Sequence, residues 1–164
     1  MIRAVIFDMD GVLAYTDKAR FDILKTILGK RNYVLSDDLY KRCVGRKTKV
    51  YLREFFPEMT DRELSQIYDE RNALLHARPA EHVAELPFAR ACVRALAESG
   101  LPLALASSSR RAEIDLILHE IGIHEHFSVI ISSEDITKYK PDPEAYLACA
   151  HALGVAPEAC AAIE

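Results

Sequence analysis

Asp8 and Asp10 stand one residue apart at the end of the apolar run Ala4-Val5-Ile6-Phe7, and Gly11 follows them. In an extended chain residues i and i+2 point to the same side, so the two carboxylates converge. Paired acids of this kind can act as nucleophile, as general acid and base, or as hard oxygen ligands for a cation. Ser107 follows a second apolar run, Leu101 to Ala106, with Ser108 and Ser109 behind it. A hydroxyl between a strand and a helix adds a donor to the backbone N–H groups that hold anions there. The same residue type equally serves as an ordinary N-cap. Lys140 opens the sequence Lys-Pro-Asp-Pro, whose prolines stiffen its support. An ammonium presented this way can offset crowded negative charge. Lys138 lies nearby, and the proline spacing singles out Lys140.

These residues need a scaffold that brings them together. Ala4 to Phe7 is apolar without alternation, as in a strand of a parallel sheet covered on both faces. Such sheets place ligands beyond the carboxyl ends of their strands, which is where Asp8 and Asp10 fall. Leu101 to Ala106, Phe127 to Ile131 and Ala161 to Ile163 read as three further strands. Between them, helices are expected at Ala89–Glu98 with Cys92, Val93 and Leu96 inward, at about Arg110 to Ile121, and from Pro143 to Leu153. Residues 16–82 show only helical periodicity. A first helix runs from Thr16-Asp17 to Gly29, a short second one reaches Cys43 and ends at Gly45, and a third spans Lys49 to Phe56. A fourth opens on the capping box Thr60-x-x-Glu63, lays Leu64, Ile67, Tyr68, Leu74 and Leu75 on one side, and closes at Pro79.

The expected architecture is α/β: a Rossmann-like parallel sheet core interrupted by an α-helical insertion. Residues 1–15 and 83–164 form the core, and residues 16–82 form the insertion. Two short connections, Leu13 to Asp17 and Arg78 to Pro87, join them. An insertion held that way can hinge, and its position directly after Asp10 makes it a candidate lid.

The chain has 164 residues, 50% of them apolar, enough for one domain with a small insertion. A net charge of −4 and a pI near 5.9 give no reason to expect nucleic acid. No apolar run approaches a membrane span, and the first strand starts too early to leave room for a signal peptide. Cys43, Cys92, Cys149 and Cys160 lack metal-ligand spacing and read as buried free thiols of a cytoplasmic protein. His124 and His126 read as a surface loop rather than a zinc site. Asp-x-Asp-Gly also occurs in calcium loops, but those require further acids and a closing Glu between two helices.

Asp8 to Leu13 match Asp-x-Asp-Gly-Val/Thr-Leu, and the stretch resembles motif one of the haloacid dehalogenase-like superfamily. Ser107 resembles motif two, Lys140 with its prolines motif three, and Ala162-Ile163-Glu164 the start of the acidic motif four. The resemblance implies a Rossmann-like core with a helical cap, and phosphoryl transfer from a small phosphorylated metabolite through an aspartyl-phosphate. It makes Asp8 the nucleophile and Asp10 the acid and base. It gives Ser107, Ser108 and Lys140 to the phosphate, and Mg2+ to Asp8, Asp10 and Glu164. Asp10 favours phosphate over halide as substrate, because the dehalogenating branch generally lacks the second Asp.

The sequence stops at the first acid of motif four, which reads as a domain with its last part missing. Within the superfamily it is most similar to the β-phosphoglucomutase and phosphoglycolate phosphatase-like group. That likeness puts Gly45, Arg46 and Lys47 in a substrate-facing cap loop, with Arg20 and Lys49 as further cations. The same cations equally form a solvated face. The mutase pattern has a His in the first cap helix, and Lys18-Ala19-Arg20-Phe21 contains none. A phosphatase is therefore the first expectation and a hexose-phosphate mutase the second. A non-catalytic phosphate-binding remnant is the third. A monomer or weak dimer is expected, with no membrane partner.

Overall fold

The computed structural model describes residues 1–44, 46 and 48–164. Contacts divide them into two compact units, Met1–Tyr15 with Val83–Glu164, and Thr16–His82.

The first unit is built on a four-stranded parallel sheet in the order β5-β4-β1-β6. These strands are β1 (Ala4–Phe7), β4 (Leu103–Ala106), β5 (Phe127–Ile131) and β6 (Cys160–Ile163). Strands β1 and β4 are buried along their whole length, as their unbroken apolar runs require. The register aligns Phe7 with Leu105 on one side and with Ile163 on the other. Asp8, Ser107 and Glu164 therefore all follow the carboxyl ends of neighbouring strands. The crossover helices are α6 (Ala89–Glu98), α7 (Arg111–Glu120) and α8 (Glu144–Ala152). Beneath the sheet Ile6, Ala104, Ala106, Ile136, Ala145, Cys149 and Ala150 form one buried cluster. Each large aliphatic side chain sealed in this way contributes about 1.5–3 kcal/mol.

Two details of this unit depart from expectation. Cys92 is exposed rather than inward, while Val93 is buried as expected and Ala89 is buried with it. Cys43 and Cys149 are buried, Cys160 is half-buried, and all four thiols are free. The connecting segments are also not plain linkers. The strands β2 (Ala14–Tyr15) and β3 (Ala84–Glu85) pair antiparallel, and Leu86 N donates to Leu13 O at 2.9 Å. Two-residue strands carry too little alternation to be read in sequence.

The second unit is helical: α1 (Asp17–Gly29), a 3-10 turn at Asp37–Leu39, α2 (Tyr40–Cys43), α3 (Thr48–Phe55), α4 (Asp61–Ala77) and α5 (Pro79–His82). The capping box forms in full, with Glu63 N donating to Thr60 Oγ1 and Thr60 N to the Glu63 carboxylate. Pro79 begins the one-turn α5, and α4 has already ended at Ala77. Thr16 precedes α1 without making a side-chain cap bond, and the chain reverses at Asn32 with φ 62° rather than at Gly29. Asparagine tolerates that left-handed conformation better than most residues. The buried stripe of α4 is Leu64, Ile67, Arg71 and Leu75, while Leu74 is 38% exposed at its margin. Arg71 donates to Thr48 Oγ1 at 2.9 Å and lies 4.6 Å from the Tyr68 ring. A guanidinium placed this way is read as surface in sequence and as core in the fold. Gly45 and Lys47 lie outside the described residues.

Candidate active site

Asp8 leaves the sheet with its N–H still bonded to Ile163 O at 2.9 Å. The chain then turns tightly. Gly11 N donates to Ala14 O at 3.0 Å and Leu13 N to Met9 O at 2.9 Å. Gly11 holds φ 77°, a value that a side chain would strain. The turn returns the chain to Ala14 while the acids remain at the sheet end.

One contact in the site joins residues 132 positions apart in sequence (140 − 8). Lys140 Nζ lies 3.0 Å from Asp8 Oδ1, with the two side chains 20% and 16% exposed. Burial pushes the Asp8 carboxyl above its ordinary pKa, and the hydrogen bond and charge of Lys140 oppose that rise without cancelling it. Burial pulls the Lys140 ammonium down, but bonds to Tyr146 and Asp8 outweigh it, and its pKa ends above the ordinary lysine value. Lys138 is 72% exposed and lies 3.9 Å from Asp142. Glu164 Oε1 is 3.3 Å from Lys140 Nζ, its side chain 61% exposed.

Folding of the Lys140 segment depends on two acids that sequence reasoning passed over. Glu144 accepts from Thr137 N at 2.9 Å and from Lys138 N at 2.6 Å, pinning the loop to the start of α8. Asp142 Oδ1 accepts from Glu144 N at 3.0 Å and caps that helix. The Lys140–Pro141 peptide bond is cis. An Asp two residues before the first helical Glu was the legible signal.

Ser107 is buried at 1% exposure, and its Oγ accepts from Ser109 N at 3.1 Å. Ser109, also missed in sequence, donates to Asp10 Oδ2 at 3.3 Å. Ser107 and Asp10 are thus linked through Ser109. Ser108 is exposed. The next loop clamps the turn: Ser107 N donates to Ile131 O and Ser133 N to Ser109 O. The first N–H of α7, that of Arg111, donates to Glu134 at 3.1 Å. An anion held here therefore meets the serine turn rather than that helical N–H.

In the helical unit Arg20 lies 3.8 Å from Asp17, and Arg46 donates to Glu54 at 2.6 Å. Lys49 donates to Ser65 at 3.1 Å. His124 Nε2 donates to Asp115 Oδ1 at 3.0 Å, and its ring stacks on His119.

The donor chemistry suits a small hard cation. Asp8, Asp10 and Glu164 offer only oxygen, and Mg2+ takes one or two carboxylates while keeping several waters. Among the described residues no group of three or more His, Cys, Asp or Glu side chains gathers. Carbonyl and water oxygens would have to complete such a shell.

Known proteins resemble this chain in sequence and in fold. A sequence model of the haloacid dehalogenase-like hydrolase family matches residues 5–164. Hexitol phosphatase B of Escherichia coli (strain K12) is 31% identical over 172 residues, covering 99% of this chain and 75% of that protein. The phosphorylated carbohydrates phosphatase of Thermotoga maritima is 28% identical over 162 residues, covering 96% and 73%. The crystal structure of CbbY from Rhodobacter sphaeroides in complex with phosphate has a TM-score of 0.85 at 21% identity, covering 99% of this chain and 77% of that one. The last likeness is one of fold.

Proposed function

This chain belongs to the haloacid dehalogenase-like hydrolase family, and from that premise we propose that it is a magnesium-dependent phosphatase of small phosphorylated metabolites, sugar phosphates among them. The family makes it an enzyme, and the relatives named for phosphatase activity support the substrate class. The observation that carries the proposal is Lys140 Nζ at 3.0 Å from Asp8 Oδ1 beyond the end of β1. A carboxylate kept beside a half-buried ammonium can attack phosphorus while that ammonium holds a non-transferring oxygen.

In this reading Asp8 attacks in line and becomes phosphorylated, and the leaving oxygen takes its proton from Asp10. Asp10 then withdraws a proton from the water that attacks the phosphorylated Asp8, releasing phosphate. Ser107 and Lys140 hold the non-transferring oxygens through both displacements. Ser109 steers the Asp10 carboxylate through its hydroxyl. Asp8, Asp10 and Glu164 would hold Mg2+ with carbonyl and water oxygens completing the shell, and the ion would supply positive charge against the repulsion between carboxylate and phosphate dianion. Asp8, with its side chain only 16% exposed, gains from such compensation because water reaches it poorly.

The test is acid-quenched turnover of a sugar phosphate followed by mass spectrometry of the Asp8 peptide. A phosphate mass on Asp8, lost in Asp8→Asn together with phosphate release, is the expected result. An adduct on another residue, or none, overturns the proposal. Interconversion of glucose 1-phosphate and glucose 6-phosphate without phosphate release would replace hydrolysis with a mutase reaction.

A further inference from the structure

The Lys140 ammonium sits among three oxygens: Tyr146 Oη at 2.8 Å, Asp8 Oδ1 at 3.0 Å and Glu164 Oε1 at 3.3 Å. An ammonium has three protons to give. A phosphoryl oxygen can therefore receive one only by displacing a present partner. The three partners differ in how firmly they are held. Glu164 is the farthest and has the most exposed side chain. Asp8 is fixed by the end of a buried strand. Tyr146 lies in the first turns of α8, and its ring packs against the cluster of Ile6, Ala104, Ala145 and Cys149. The same ring faces the ammonium, 4.8 Å from Nζ to its centroid.

Core packing thus sets where the Tyr146 hydroxyl lies, and the hydroxyl sets how the ammonium is turned. We infer that Tyr146 is a positioning residue for Lys140. Its oxygen accepts one ammonium proton, which fixes the remaining two N–H directions, one on Asp8 and one on the place Glu164 yields to the phosphoryl oxygen. A lysine on a flexible stem otherwise loses rotamer freedom at each turnover. This inference rests on the reading of Asp8 and Lys140 as the phosphoryl-transfer pair.

Tyr146→Phe removes the hydroxyl and keeps the packed ring. With p-nitrophenyl phosphate and saturating Mg2+, the expected result is a kcat lowered about tenfold, the scale of one lost hydrogen bond to a charged group, with KM and the melting temperature unchanged. Tyr146→Leu, which also removes the ring face, lowers kcat further. Wild-type kcat in Tyr146→Phe overturns the inference. So does a raised KM at unchanged kcat, which would assign the hydroxyl to ground-state binding. Lys140→Met is measured alongside. Full activity in that variant sinks the site reading itself, whereas its inactivity beside a fully active Tyr146→Phe sinks only the role of Tyr146.

Discussion

Lys140 is where the proposed chemistry is most exposed to test. Its ammonium is half-enclosed and hydrogen-bonded to Asp8. Lys140→Ala should lower kcat for phosphate release by ~10²–10³, the usual cost of one preorganised donor to a developing anion. Lys138→Ala should leave turnover unchanged, because that side chain is exposed and directed to Asp142. Parallel steady-state assays of the two variants check this. A second residue carries a conformational cost. Phe88 precedes α6 at φ 69° and is 84% exposed, so its ring gains little that would offset a left-handed backbone. Phe88→Gly should stabilise the protein by about 1 kcal/mol, read as a higher urea midpoint at unchanged slope. Loss of stability would mean that the ring makes contacts worth more than the strain.

Elements are held to the site by loops, and one loop has a pH-dependent lock. After β5, Asp135 accepts from Ser132 Oγ at 2.6 Å and from Ser132 N at 2.8 Å. The side-chain bond, then the backbone bond, hold its carboxyl below the ordinary pKa. A depressed folded-state pKa stabilises the native state above the ordinary value of 3.8, and that contribution disappears as pH falls through the folded-state pKa. Asp135→Asn should therefore be less stable than wild type near neutrality and should lose less on acidification, measured as urea midpoints from pH 6 to about pH 3. Equal acid slopes would show that the pair does not lock the loop. The strands and crossover helices at this scale were largely legible. Ala4–Phe7 and Phe127–Ile131 fall where unbroken apolar runs put them. The small ribbon of Ala14–Tyr15 with Ala84–Glu85 was not, because two residues have no periodicity and the pairing is set by chain segments 70 positions apart (84 − 14).

At the scale of the molecule, four thiols at different depths report on unfolding. Cys149 is fully buried and its pKa is pushed up to about 12 by burial, while Cys92 is exposed. With an aromatic disulfide reagent in native buffer, Cys92 should react first, and Cys43 and Cys149 only after denaturant opens the fold. Quantification of labelled peptides by mass spectrometry checks the order. Early labelling of Cys149 would mean that the cluster under the sheet opens without global unfolding. No helix among the described residues is long and apolar enough to cross a membrane.

Local patterns determined much of this protein. The parallel-sheet core, the helical stretch between its first two long strands and the capping box at Thr60 all follow from short-range periodicity and spacing, which a chain carries before it folds. Tertiary structure alone decided which distant side chains share a charge environment. Asp142 and Glu144 fold the segment that brings Lys140 to Asp8, Ser109 ties Asp10 to Ser107, and Tyr146 turns the ammonium from a helix whose packing is a property of the whole sheet. Arg71 shows the same division, since an amphipathic pattern does not reveal that a guanidinium takes a core position held by Thr48 and Tyr68. Desolvation and pairing depend on every neighbour in space, and sequence distance says little about who those neighbours are.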